Sequence, residues 1–122
     1  MILLLTALAG GIGGALRFLV DTGVSRINRT TLPLGTVVVN ATACFALGLL
    51  TGYGLTQLGH EHLVAVLGVG LLGGYSTFST ASVEGARLIR DGRWPAALVH
   101  GGGMLAVSLA ASVLGLAIGG IA

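Results

Sequence analysis

Four long apolar stretches dominate this sequence, and the few charged residues fall between them or near their ends. Hydrophobic residues make up 54 % of the 122 residues and charged residues only 8 %, which is far too apolar for a soluble domain of this length. A bilayer core about 30 Å thick requires about 20 apolar residues per helical span. The sequence therefore predicts an all-α membrane protein with four transmembrane helices, forming one domain over residues 1–122.

The charges and turn-forming residues place the ends of these spans. We expect spans at residues 2–20, 34–58, 63–89 and 96–121. The connection at residues 21–33 suits a loop or a short interfacial helix, with Arg17 near the membrane interface before it. The connections at residues 57–62 and 91–95 are short. Trp94 is typical of an interfacial position and Pro95 of a first helical turn.

Glycine makes up 22 of the 122 residues, well above its usual share of about 7 %. Within the predicted spans, several glycines are spaced four apart: Gly10 and Gly14, Gly48 and Gly52, and Gly115 and Gly119. In membranes this spacing lets two helix backbones approach closely. We therefore expect tightly packed helices.

The third span contains an unusual run at residues 68–84, GVGLLGGYSTFSTASVE, in which two glycines precede hydroxyl side chains around Phe78. Glycine weakens a helix interior, and Ser and Thr compete for backbone hydrogen bonds. The pattern predicts a helix broken between Gly73 and Thr80. Non-helical backbone in a bilayer is tolerated only where protein or a water-filled cavity satisfies it, which indicates a binding site or an ion pathway. The alternative is that these small residues serve helix packing alone.

Other spans contain polar side chains with two interpretations each. The amide of Asn40 offers two donors to an anion or to a carbonyl, or it forms a purely structural interhelical hydrogen bond. Ser108 and Ser112 share one helix face, and they form a hydroxyl track or bond back to carbonyls four residues earlier. The positive edge of the Phe78 ring can face an anion, or the ring simply packs.

The remaining unusual residues are expected to be structural. We expect Cys44 to be a small core residue and His100 to lie near an interface. Glu84 is expected to pair with Arg87, three residues on, or with Arg17.

Several function classes are excluded by what the sequence lacks. It has no pairing of nucleophile and base, no phosphate-binding loop and no metal-ligand spacing, so we expect no enzyme. A net charge of +2 without a basic patch argues against nucleic acid. A small four-helix membrane transporter is the rival interpretation. A proton-coupled exporter of this size relies on an acidic residue in the first span, and residues 2–20 have none.

Three motifs, in order along the whole chain, resemble the Fluc (CrcB) fluoride channel family. They are GGIGGALRF at residues 10–18, GTVVVN at residues 35–40 and GGYSTFSTASVE at residues 73–84. The last is similar to that family's GGxTTFSTFSxE signature. The resemblance implies an antiparallel dimer in the plasma membrane of a microbe, with two pores through which cytoplasmic fluoride leaves passively.

The resemblance also implies roles for individual residues. Pore or fluoride-contacting positions are Asn40, Phe78, Thr80, Ser108 and Ser112. A structural sodium ion at the dimer interface would be held by the backbone carbonyls of Gly73 and Ser76. The sequence departs from the family pattern at Ala81, where the signature has a second phenylalanine, and at Met104, where a tyrosine is expected.

The arginines predict how the chain inserts. All six, at positions 17, 26, 29, 87, 90 and 93, belong to the side of the membrane opposite the two termini, and the sequence has no lysine. Basic residues near span ends are retained in the cytoplasm, so both termini are expected outside. An antiparallel dimer then requires a second, differently charged subunit, and the resemblance implies that such pairs occur. The alternative is a dual-topology homodimer, because Arg17 and Arg87 are features that dual-topology relatives can share.

Overall fold

The computed structural model describes residues 1–30, 32–56 and 61–121, and the regular structure in these ranges is helical. Its elements are α1 (Ile2–Ile27), α2 (Leu34–Thr56), α3 (Glu61–Ala65), a π-helix (Val66–Leu72), α4 (Gly73–Tyr75), α5 (Ser79–Arg90) and α6 (Trp94–Ile121). Four stretches are long and apolar enough to cross a membrane: Ile2–Ile27, Leu34–Gly54, His62–Arg90 and Trp94–Gly120. This confirms the four predicted spans. Most of the predicted connection at residues 57–62, including Gln57, lies outside the described residues.

The first helix is longer than the sequence predicted. It continues through the expected connection as far as Ile27, because residues 21–27 contain no proline and no strong helix stop. The helix ends at Asn28, whose side chain accepts from the Thr30 N–H at 2.9 Å and donates to the Leu32 carbonyl at 2.7 Å. The connection between α1 and α2 is therefore limited to residues 28–33.

One consequence is that Asp21 belongs to a helix rather than to a loop. Its carboxylate lies directly against Gly35, where an added Cβ would collide with it. Gly35 is in the first turn of α2, and a negative charge is stabilised at a helix N-terminus by the free N–H groups and the helix dipole. Asp21 thus links the end of α1 to the start of α2.

Helices α2 and α6 pack through glycines from both sides. A Cβ on Gly48 would collide with the Ser112 carbonyl, and a Cβ on Gly115 would collide with the Phe45 carbonyl. Gly52 and Gly119 make the same kind of backbone contact one turn further along. The glycine pairs predicted from these two spans are therefore confirmed as close helix contacts.

Helix α1 packs in the same way against the third membrane segment. A Cβ on Gly13 would collide with the Leu71 carbonyl, and a Cβ on Gly74 would collide with the Gly10 carbonyl. Gly14 is less crowded, with the Gly74 carbonyl 4.0 Å from its hypothetical Cβ. The close face of α1 is therefore formed by Gly10 and Gly13.

The third membrane segment consists of several pieces, as the sequence predicted, but its glycines are not where the helix ends. Gly73 has helical dihedral angles (φ −62°, ψ −39°), and α4 continues through Tyr75. The non-helical residues are Ser76, Thr77 and Phe78. The double glycine thus provides room for α1, and the break follows it. After the break, α5 ends at Arg90, Gly92 follows in the left-handed region (φ 76°), and α6 begins at Trp94 with Pro95 in its first turn.

The glycine contacts predict a clear difference between two substitutions on α6. Gly115→Ala places a methyl group against the Phe45 carbonyl, whereas an added Cβ at Gly102 meets no atom within 4 Å. We expect Gly115→Ala to reduce stability by about 1–3 kcal/mol, as overpacking does, and Gly102→Ala to leave it unchanged or slightly higher. Thermal unfolding in detergent measures both. Equal melting temperatures for the two variants would contradict the packing described here.

Candidate functional site

The break between α4 and α5 leaves the backbone extended at Ser76 (φ −73°, ψ 160°) in the middle of a membrane segment. Its polar groups must find partners outside the helix, because an unpaired backbone group in hydrocarbon costs several kcal/mol. The side chain of Asn40 on α2 supplies two of them. Its Oδ1 accepts from the Thr77 N–H at 2.9 Å, and its Nδ2 donates to the Thr77 carbonyl at 2.7 Å. The Asn40 amide therefore ties α2 to the break.

Pairing with Asn40 changes the environment of the Gly73 carbonyl. In a continuous α-helix this carbonyl would accept from the N–H of Thr77, four residues later. That N–H donates to Asn40 instead. Gly73 is also exposed at the surface of the chain. The Gly73 carbonyl therefore lacks the N–H donor that it would have in a continuous helix.

The Ser76 carbonyl loses its helical donor in a similar way. The Thr80 N–H donates to the Thr77 hydroxyl at 3.2 Å, which caps the start of α5. The Ser76 carbonyl accepts instead from the Arg17 guanidinium at a long 3.4 Å. Arg17 therefore contacts the break from within α1, a contact that the sequence did not predict.

A cleft of ≈ 480 Å³ opens beside the break, between α2, α5 and α6. Three of the predicted pore residues, Asn40, Phe78 and Ser108, line it together. The other lining residues are Cys44, Ser76, Thr77, Ala81, Ser82, Gly101, Met104 and Leu105. The structure thus brings the amide, one ring and one hydroxyl of the predicted set to a single surface.

The other two predicted pore residues are placed differently. Thr80 lines a second, smaller cavity of ≈ 170 Å³, together with Arg17, Asp21 and Thr36. The Ser112 hydroxyl donates to the carbonyl of Ser108 at 2.9 Å, which is the back-bonding alternative left open by the sequence. Neither residue is among those lining the large cleft.

Phe78 is 86 % exposed in the single chain. The residue ends the break immediately before α5, so its ring projects from a point where the backbone changes direction. Ala81, one turn further along, also lines the cleft and offers only a methyl group. One side of the cleft is therefore open, with Phe78 as its only aromatic lining residue among the described residues.

Glu84 and His100 form a pair that the sequence analysis did not predict. The His100 Nε2 lies 3.7 Å from the Glu84 Oε1, across the contact between α5 and α6. His100 is buried between the helices, with 4 % exposure, and lies near the start of α6. Glu84 faces this histidine, not the predicted arginines, because α6 packs over that side of α5.

Sequence reasoning also missed Thr77 and Cys44. Thr77 provides the backbone partner of Asn40 and the cap of α5, and its position three residues before Thr80 was the available signal for a capping hydroxyl. Cys44 lies four residues after Asn40, on the same face of α2, and lines the cleft with it. It is only partly buried, so it is not the core residue that was expected.

Comparison with known proteins places the whole arrangement in one family. Residues 4–116 match the family described as CrcB-like protein, Camphor Resistance (CrcB). A fluoride-specific ion channel FluC 1 from Leifsonia xyli subsp. xyli is 41 % identical over 122 residues, which is 100 % of this chain and 89 % of that protein. A fluoride-specific ion channel FluC 2 from Cutibacterium acnes is 44 % identical over 121 residues, covering 98 % of each chain.

A third relative, the fluoride-specific ion channel FluC of Shewanella sp. (strain W3-18-1), is 39 % identical over 99 residues, covering 80 % of this chain and 78 % of that protein. The family match at residues 4–116 includes nearly all of the first helix, the segment that contains the break and most of the last helix. With its four membrane spans and its bent third segment, the chain belongs to the CrcB family.

Proposed function

We propose that this protein is a fluoride-specific ion channel subunit through which cytoplasmic fluoride leaves passively across the plasma membrane. The observation that supports this most strongly is the cleft at the helix break, where Asn40, Phe78 and Ser108 meet. Relatives named fluoride-specific ion channel match this chain over all or nearly all of its length. Catalysis plays no part in this proposal.

The chemistry of the cleft suits a small anion. Fluoride loses a large hydration energy on leaving water and must be met by hydrogen-bond donors and positive ring edges. The Asn40 amide, the Ser108 hydroxyl and the edge of Phe78 are groups of this kind. In the proposed pathway these three contact the ion directly. Thr80 and Ser112 lie further along it, in the smaller cavity beside Arg17 and on α6 respectively.

The first test is anion efflux from liposomes that contain the purified protein in its conducting assembly. We expect fluoride to leave the liposomes and chloride to be retained, because the closely placed donors compensate only the smaller ion for its lost hydration. A fluoride-selective electrode and a chloride electrode measure the two fluxes. Equal passage of chloride and fluoride would contradict the proposed function.

Two substitutions test the assigned residues in the same assay. Asn40→Asp removes both amide donors and introduces a negative charge, and Phe78→Ala removes the ring. We expect each to reduce fluoride efflux by at least about tenfold, the effect of losing about 1.4 kcal/mol of stabilisation for the ion. Val113→Ala is the matched control, because Val113 is an exposed residue of α6 outside the cleft. If the first two variants conduct like the control, the pore assignments are wrong.

We also propose that a structural sodium ion binds at the break, between two subunits, through the carbonyls of Gly73 and Ser76. Support comes from the redirected N–H groups of Thr77 and Thr80, which leave these carbonyls without helical donors. Carbonyl oxygens suit a hard cation. The long contact from Arg17 to Ser76 occupies only one of the two lone pairs of that oxygen.

Sodium is therefore expected to stabilise the dimer by mass action. Replacing sodium chloride by N-methylglucamine chloride at constant ionic strength should lower the melting temperature and the fluoride efflux, and the melting temperature should rise steadily as sodium is restored. The monomeric fraction, separated by size exclusion, serves as a control without the shared site. Melting temperature and efflux that do not change with the cation would argue against the sodium site.

Finally, we propose that the chain pairs in antiparallel orientation with a differently charged paralogue, with both of its own termini outside the cell. Arg17 contacts the helix break, and both Arg17 and Arg87 are features that dual-topology relatives can share, so neither is counted toward the orientation bias. The bias then rests on four arginines near the ends of the spans: Arg26 in the last turn of α1, Arg29 just after it, and Arg90 and Arg93 on either side of the turn before α6. Two relatives have numbered names, FluC 1 and FluC 2, as expected for organisms with more than one such chain.

Cysteine labelling of intact cells tests this orientation. In a background without Cys44, cysteines at the exposed positions His62 and Asp91 leave all six arginines intact. We expect a membrane-impermeant maleimide to label His62→Cys and not Asp91→Cys, because the basic turn stays in the cytoplasm. Labelling of both positions to similar extents would mean dual insertion and would favour a homodimer.

A further inference from the structure

The orientation of the Asn40 amide is fixed by the backbone of Thr77. The Thr77 N–H donates to Oδ1 at 2.9 Å, and the Thr77 carbonyl accepts from Nδ2 at 2.7 Å. Exchanging the oxygen and nitrogen of the amide would set donor against donor and acceptor against acceptor. One of the two Nδ2 hydrogens is therefore committed to Thr77, and this side chain has a single donor left for any ligand.

The remaining donor is held by Met104. Nδ2 donates to the Met104 Sδ over 3.3 Å, and both residues line the cleft beside the break. A thioether sulfur is a weak acceptor, and a methionine side chain turns about three flexible bonds. The one N–H of Asn40 that a ligand could use is thus bonded to a weak acceptor on a flexible side chain.

We propose that Met104 is an exchangeable partner of the pore amide: its sulfur occupies the second N–H of Asn40 between ions and moves aside when a fluoride ion takes that hydrogen bond. This inference rests on the proposed channel function. Fluoride is a much stronger acceptor than a thioether, so the exchange favours the ion. Because the lost N–H···S bond is the same for every anion, Met104 controls how readily ions enter the cleft, and it does not control which halide is preferred.

The decisive variant is Met104→Leu, which conserves side-chain volume and removes the acceptor. Fluoride then takes the N–H without displacing a partner. We expect fluoride efflux at low fluoride concentration to rise about two- to fivefold, the range that corresponds to one weak hydrogen bond. The ratio of fluoride to chloride efflux should not change. The assay uses the conducting assembly in liposomes, as for the wild-type protein.

Leu105→Ala is the matched control, because Leu105 also lines the cleft but has no acceptor atom. It enlarges the cleft and leaves the bond between Asn40 and Met104 in place. We expect it not to reproduce the rise at a constant halide ratio. Equal rises in both variants would mean that cleft volume alone controls entry and would overturn the proposal, as would unchanged or lower efflux in Met104→Leu.

A direct binding measurement separates this inference from the channel function. Fluoride is titrated into ¹⁵N-labelled protein in detergent, and the side-chain amide resonances of Asn40 are followed. We expect the half-saturating fluoride concentration to be about two- to fivefold lower in Met104→Leu than in the wild-type protein. The same half-saturation in both, or no response of Asn40 to fluoride, would overturn the role of Met104. Wild-type protein that passes no fluoride in liposomes would overturn the channel function, while the titration would still decide the exchange at Asn40.

Discussion

The paired hydrogen bonds between the Asn40 amide and the Thr77 backbone are the interaction on which the rest of the structure depends. A helix interrupted at membrane depth exposes N–H and C=O groups that hydrocarbon cannot satisfy. One side chain with both a donor and an acceptor is enough to satisfy Thr77. The same two bonds hold α2 against the third segment and remove the helical donor of Gly73. The break is thus stabilised by a neighbouring helix, and its freed carbonyl is a direct consequence of that stabilisation.

The second constraint is the close approach of backbones. Among the described residues, the buried hydrophobic side chains are only Ala9, Val39, Ala43 and Leu88, so a large apolar core does not hold the helices together. In a bilayer the hydrophobic effect contributes little to helix association, which is driven instead by packing contacts and hydrogen bonds. Glycines on α1, α2 and α6 meet the carbonyls of facing helices. The helices therefore approach one another where side chains are absent, and this close packing keeps Asn40 within reach of Thr77.

The sequence predicted the four spans, the glycine contacts of α2 and α6 and the segment of the break, because each of these depends on local composition. It did not predict which residues are non-helical. The glycines at positions 73 and 74 are the weaker helix formers, yet the break occurs after them, since its partner is a side chain 37 residues away in the sequence. The contacts of Arg17 with the break and of His100 with Glu84 were missed for a related reason. A polar residue in an apolar span can mark an interface or a buried contact, and only the packing of a facing helix distinguishes the two.

The departures from the family pattern are not scattered. Ala81 and Met104 line the same cleft as Asn40 and Phe78, so one surface lacks an aromatic ring of the family pattern and has a thioether beside the Asn40 amide. In a symmetric dimer both pathways would have these changes. An antiparallel pair with a differently built subunit allows the partner to supply a second ring that a copy of this chain lacks at Ala81. The composition of the cleft and the distribution of arginines are independent features, and both support the proposal of a partner that is not a copy of this chain.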